Sequence, residues 1–265
     1  MDQLEVEGLR IAYERAGEGP PLVLLHGWPL NSREWRHQID NLSDEFTVVA
    51  WDTPGCGRSS DPPETFRLPE YADCLAAFVD ALGLGRPHVA GLSFGGGLAL
   101  ELYRRHPTVP RALVLASAYA GWSGSLPAEV VEQRLKKGVQ DSELPADEFA
   151  RAWIPGLLTE SAPAEMVAEV EAILSEFHPA GYRVWARAFA EADLRDVLPR
   201  IDVPTLLLYG DKDVRSPLSI AEELHANIHG SKLVVIPGVG HMVDVEAAER
   251  FNTEVRNFLR SVPGS

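Results

Sequence analysis

Short apolar runs alternating with longer amphipathic segments predict an α/β protein, a mostly parallel sheet flanked by helices. Two further observations refine that reading. The apolar runs are nearly continuous rather than alternating, as in strands covered on both faces. The alternation also breaks once, over about residues 121–199, where apolar residues recur only at helical spacing.

Taken in order, residues 4–8 and 9–15 read as an antiparallel opening pair, and 21–25 as the first strand of the buried sheet. Strands follow at 46–50, 87–90, 112–116, 205–209 and 232–236, which makes eight. Helices fill the gaps at 33–42, 68–82, 94–105, 217–227 and 245–259. In the last of these, Ala248, Phe251, Val255 and Phe258 share one face and should close the fold. Within 121–199, Met166, Val170, Ile173 and Phe177 keep helical spacing, while Pro127, Pro145, Pro155, Pro163 and Pro179 mark breaks between short helices. The expectation is one domain over 1–265, with its core at 1–120 and 200–265 and a helical cap inserted at 121–199.

Composition excludes several classes. Of 265 residues, 45% are hydrophobic and 24% charged, which argues against disorder, collagen or a membrane bundle. Against 24 Lys and Arg stand 39 Asp and Glu, a formal charge of −15, so nucleic-acid phosphates and anionic membrane surfaces are repelled. The longest stretch without a charged residue, 112–128, is broken by serines and Pro127 and is a poor spanning segment. Met1-Asp2-Gln3-Leu4-Glu5 carries acid where a signal peptide has a basic start, so a cytoplasmic protein is expected. Cys56 and Cys74 are too few for a disulfide framework and lack zinc-site spacing; both read as reduced small residues. His225 and His229 stand four apart on a helix with no third ligand near, so no metal is expected. A dinucleotide Gly-x-Gly-x-x-Gly fingerprint is lacking, and no cofactor is implied.

Gly91-Leu92-Ser93-Phe94-Gly95 falls directly after one strand and before one helix. A sharp turn there exposes the Ser93 hydroxyl, and the helix aims its unpaired amides and positive end at the same spot. A serine hydroxyl needs a base, and the base an orienting acid. Gly210-Asp211-Lys212-Asp213 and Pro237-Gly238-Val239-Gly240-His241 supply both after two later strands, where ligand-facing groups of such sheets collect.

With His26-Gly27 and Asp52-Thr53-Pro54-Gly55-Cys56-Gly57-Arg58-Ser59 added, the motifs resemble the α/β-hydrolase superfamily over essentially the whole chain. Within it the sequence is similar to compact bacterial serine esterases and lactonases and to cofactor-free haloperoxidase or perhydrolase relatives. The resemblance implies a triad of Ser93, Asp213 and His241, and oxyanion amides from Trp28 and Phe94. It favours Asp213 over Asp211 as the acid, leaving Asp211 to stabilise a turn or helix end. His26 is read as shaping the oxyanion loop, Asp52 or Arg58 as holding the loop beside it, and Asp244 as capping the last helix.

These assignments imply a serine hydrolase acting on a small to medium, largely apolar carboxylic ester or lactone, with Ser93 acylated, His241 as base and Asp213 orienting it. Perhydrolase or haloperoxidase-type activity and carbon–carbon bond hydrolysis use the same triad, the latter disfavoured by the bulky Trp28-Pro29 after His26-Gly27. A ligand receptor with little turnover is the rival from another class. Epoxide hydrolases and haloalkane dehalogenases of this architecture need a carboxylate where Ser93 stands. Trp122, Trp153, Phe177, Trp185 and Phe189 suggest an apolar pocket, unless they merely glue the cap to the core. From net charge alone, neutral esters should be preferred over polyanions. The sequence carries no signal for oligomeric state.

Overall fold

Eight strands form one sheet in the computed structural model, which describes residues 1–263. They are β1 (Asp2–Val6), β2 (Leu9–Ala16), β3 (Pro21–Leu25), β4 (Thr47–Trp51), β5 (His88–Leu92), β6 (Ala112–Ala116), β7 (Thr205–Gly210) and β8 (Lys232–Ile236), in the spatial order β1-β2-β4-β3-β5-β6-β7-β8. β1 pairs antiparallel with β2, and β2 antiparallel with β4; every later pairing is parallel. All eight predicted strands are present. The first is displaced: Glu7 and Gly8, with φ of 50° and 80°, close a two-residue hairpin in which Val6 faces Leu9, so Gly8 belongs to the turn.

The central strands β4, β5, β6 and β7 are buried along their whole length, as continuous Val, Leu and Ala runs require. Their covering helices are α1 (Arg36–Leu42), preceded by a 3₁₀ turn at Ser32–Trp35, then α2 (Leu68–Ala81) and α3 (Phe94–Arg105).

Between β6 and β7 the chain runs through five helices with no strand: α4 (Trp122–Ser125), α5 (Ala128–Asp141), α6 (Ala146–Trp153), α7 (Ala164–Leu174) and α8 (Pro179–Glu191). The five prolines fall at the breaks between these helices, as expected, Pro155 lying in the loop between α6 and α7. Pro127, Pro145 and Pro163 sit at the caps of α5, α6 and α7, and Pro179 is the first residue of α8. A fixed φ and a missing N–H cost nothing in a first turn, where the amide has no helical partner.

α9 (Leu218–Asn227) lies before β8, and two helices follow it, α10 (Val243–Glu246) and α11 (Ala248–Ser261). A single helix from Val245 was expected here. Ala247, at φ −130° and ψ 44°, breaks it in two. Of the predicted face of α11, Phe251 and Val255 are buried and Ala248 and Phe258 only partly so, while Leu259 is buried in addition.

Candidate active site

Ser93 stands between β5 and α3 with φ 53° and ψ −110°, a conformation that side-chain-bearing residues rarely adopt. The neighbouring backbones force the turn to be tight. A Cβ on Gly91 would lie 2.3 Å from the Gly95 carbonyl, and one on Gly95 would lie 2.0 Å from the Leu25 carbonyl oxygen, so both positions admit only glycine. The Ser93 amide donates to the Ala116 carbonyl at 2.7 Å, which ties the turn to β6. Phe94 opens α3, so its N–H has no partner within the helix.

On the loop after β7, Asp213 is buried with both oxygens engaged. Oδ1 accepts the amides of Arg215 and Ser216, each at 2.8 Å, and Oδ2 lies 2.8 Å from Nδ1 of His241. Burial alone would push the Asp213 carboxyl up. The His241 charge and hydrogen bond, with the two amides, outweigh it and hold the group below its ordinary value, ionised at neutral pH. With Nδ1 committed to Asp213, Nε2 is the ring nitrogen left to exchange a proton.

The loop carrying His241 is anchored to the insertion. The amides of His241 and Met242 both donate to the Leu157 carbonyl at 3.1 Å. Glu246 completes the clamp: one oxygen accepts the Gly240 amide at 2.8 Å, and the other the Thr159 amide at 2.9 Å and its hydroxyl at 2.5 Å. Asp211 accepts the Gly238 amide at 2.6 Å and so holds the turn after β8, the lesser role expected of it.

Across the sheet end, the loop after β3 carries His26, Gly27 and Trp28. Nε2 of His26 accepts the Thr53 amide at 3.1 Å, so the proton sits on Nδ1, 2.8 Å from the Gly27 carbonyl. Burial lowers the His26 pKa and keeps the ring neutral, in a purely structural position. Asp52 accepts the amides of Ser32 and Arg58 at 2.8 Å each, and so pins two loops together. The Gly27 amide is taken by Glu34 Oε2 at 2.7 Å.

Ser93, His241, Trp28 and Phe94 line one narrow cavity, with Asp213 bonded to the imidazole. An adjoining cavity of about 240 Å³ shares Trp28, Trp122, Arg134 and Arg215 with it. Five of the predicted site residues are thereby brought together. Trp28 is the centre of an aromatic cluster, stacked on Tyr182 at 4.3 Å and edge-on to Trp153 at 4.9 Å. Trp122, Trp153 and Phe189 line the cavities. Trp185 and Phe177 are glue: Trp185 lies 3.7 Å from the Phe94 ring and donates its indole N–H to Pro54, and Phe177 stacks on Phe149.

Two sequence readings need correction. Asp244 does not cap the last helix; it is fully buried inside α10, and neither carboxylate oxygen has a hydrogen-bond partner among the described residues. Nor is the pocket lining simply apolar, because Arg134, Lys137 and Arg215 stand among its aromatic rings. Sequence reasoning did not single out Arg134, which reaches the cavity because α5 packs against α8. For Arg215 a signal existed, its place two residues after Asp213 on a loop that faces the site.

The geometry is that of a fold class in which a serine elbow, an acid loop and a histidine loop meet at the carboxyl ends of parallel strands. The family profile described as alpha/beta hydrolase fold matches residues 20–248, and the chain belongs to that family. Over 280 residues it is 31% identical to a bifunctional esterase/perhydrolase of Acinetobacter calcoaceticus, covering 96% of this chain and 98% of that one. A thermophilic esterase from Thermogutta terrifontis superposes with a TM-score of 0.92 at 30% identity, over 99% of both chains. The enol-lactonase from Burkholderia xenovorans does so with a TM-score of 0.90 at 25% identity, over 98% of this chain and all of that one. Among the described residues no helix is long and apolar enough to cross a membrane.

Proposed function

We propose that this hydrolase cleaves a small to medium carboxylic ester or lactone through an acyl-enzyme on Ser93. The observation that carries the reading is the 2.8 Å contact between Asp213 Oδ2 and His241 Nδ1, with Ser93 and His241 facing one cavity. Ser93 Oγ attacks the carbonyl carbon while His241 Nε2 takes its proton and delivers it to the leaving alkoxide. Water then enters, gives its proton to the same nitrogen, and releases the acid with Ser93 restored. Asp213 keeps the imidazole in the required tautomer and balances the charge it gains.

The oxyanion is held by the amides of Trp28 and Phe94. Glu34 occupies the Gly27 amide and the residue after Trp28 is a proline, so Trp28 is the donor this loop has to offer. Losing one such donor typically costs about 3 kcal/mol in the transition state. Residues 121–199 act as a cap on a single hydrolase domain, lending Trp122, Trp153 and Phe189 to a pocket of aromatic rings and arginines that excludes water and long polymers.

The decisive measurement is hydrolysis of a p-nitrophenyl acyl ester by purified Ser93→Ala protein. The expected rate is lower by at least ~10³-fold with the melting temperature kept. Full activity in that variant would overturn the reading. The likeness to a bifunctional esterase/perhydrolase favours a second outcome, in which hydrogen peroxide replaces water at the acyl-enzyme; peracid formed from acetate and peroxide reports it.

A further inference from the structure

The sequence has 24 Lys and Arg against 39 acids, so most arginines have a carboxylate within reach, as Arg33, Arg67, Arg105 and Arg256 do. Two that line the reaction cavity do not. Among the described residues neither Arg134 nor Arg215 is in an ion pair, although both stand between the reacting serine and the larger cavity. We propose that the substrate carries a free carboxylate, which seats on Arg134 and Arg215 while its ester or lactone carbonyl lies at Ser93. This rests on the acyl-enzyme reading above and adds the class of substrate to it.

Arg215 is the clearer of the two. Its guanidinium lies 4.2 Å from the Trp153 ring centroid, and its buried Nε has no hydrogen-bond partner. Burial, reinforced by the neighbouring Arg134 charge, pulls its pKa down further than the Asp213 charge nearby raises it. Its place relative to the reacting groups is fixed, since its amide is bonded to Asp213 Oδ1 at 2.8 Å.

Arg134 is held by its neighbours: one nitrogen donates to the Tyr119 hydroxyl at 3.1 Å and another to the Arg215 carbonyl at 3.0 Å. Trp122 and Tyr119 lie against its guanidinium at 5.6 and 5.7 Å. Those two bonds leave donors of its five N–H groups unspent. The other charges facing this cavity cancel, because Lys137 Nζ sits 2.9 and 2.8 Å from the two oxygens of Asp141.

A pair of guanidiniums with free planar donors matches a carboxylate, and the rings around them suit an apolar chain between it and the scissile carbonyl. A doubly charged, strongly hydrated phosphate fits such rings less well. The formal charge of −15 does not forbid this, since at physiological ionic strength charges more than about 8 Å away are screened and the local pair decides. Half-esters of dicarboxylic acids and lactones bearing an acid side chain are the compounds with these features.

The test compares monomethyl glutarate with dimethyl glutarate, and the adipate pair likewise, by proton release from the full chain at low salt. The expected kcat/KM favours the monoanion by on the order of 10-fold or more, and Arg134→Gln with Arg215→Gln abolishes that preference. Lys136→Gln, on the exposed side of the same helix, keeps the wild-type ratio. Should the double variant fail to fold, Arg215→Lys and Arg134→Lys each reduce the ratio without abolishing it. Diester hydrolysis with no preference for the monoanion overturns the carboxylate seat and leaves the serine mechanism standing. If neither ester turns over, calorimetry of glutarate with the Ser93→Ala protein decides: salt-sensitive binding lost in the arginine variants upholds the seat, and its absence in Ser93→Ala itself overturns it.

Discussion

Two buried acids lie on either side of His241, Asp213 on the loop after β7 and Asp244 three residues further along the chain, and they are housed in opposite ways. Asp213 spends one oxygen on two amides and the other on the imidazole. Among the described residues Asp244 has no well-formed hydrogen bond to either oxygen, only the weak approach of its own amide and that of Val245, and its near neighbour Glu34 has none to Oε1. Burial is common to both, so it does not decide the charge. Hydrogen bonds to the ionised form do: Asp213 is held below its ordinary value, whereas desolvation lifts Asp244 to about 7. Glu34 rises well above its usual range, first by burial and then by the charge on Asp244.

Removing the charge from the well-housed acid should do the most damage. Asp213→Asn keeps the shape but offers Nδ1 the wrong partner, and we expect kcat to fall by ~10³- to 10⁴-fold with little change in melting temperature. Steady-state kinetics on the p-nitrophenyl ester would check this; a fall under 10-fold would assign the orienting role elsewhere.

Glu246 offers an intermediate case, an acid that is satisfied but does not touch the imidazole. Glu246→Ala strands the Gly240 and Thr159 amides and frees the His241 loop. The expected loss is about 1–3 kcal/mol of stability, read by urea denaturation, together with a drop of roughly 10-fold in kcat.

The smallest effect on catalysis belongs to Asp244, and the size of its effect on stability depends on pH. Between pH 4 and about 7 the folded protein keeps a proton on Asp244 that the unfolded chain has released, so stability falls as pH rises through that window. Asp244→Asn removes this penalty. Its melting temperature should match wild type near pH 4 and exceed it at pH 8 by the equivalent of a few kcal/mol, about 1.4 kcal/mol for each pH unit in the window. An equal gain at both pH values would mean that Asp244 is not the titrating group. Glu34 keeps its own part of the slope in that variant, since its pKa is raised as well.

The strands and the three strand-end loops were readable in the sequence because their signals are local. A continuous run such as Ala112 to Ala116 has no other comfortable place than a doubly covered strand. Gly91 and Gly95 declare a turn whose neighbours leave no room for a Cβ. Asp244 was misread for the opposite reason: an acid before a helical pattern looks like a cap, and only the fold shows that the backbone breaks at Ala247 and buries it. The same holds for Trp28: the family resemblance pointed to its N–H, while its ring depends on α6 and α8 arriving from far away in sequence. Arg134 went unread because nothing local in the segment says that α8 will pack against its helix.

The Leu157 carbonyl accepts from both His241 and Met242, which gives the insertion a second duty. Most of a lid can be exchanged between scaffolds if it only shapes a pocket, but the segment proposed as a cap carries a backbone acceptor that holds the His241 loop in place. A chimera that borrows the helices of another hydrolase must therefore bring a carbonyl to the same point, or His241 loses its tether while every catalytic side chain is still present. On the proposed mechanism, substrate scope and catalytic competence are thus inherited together, and an engineer who trims the segment between α6 and α7 edits both.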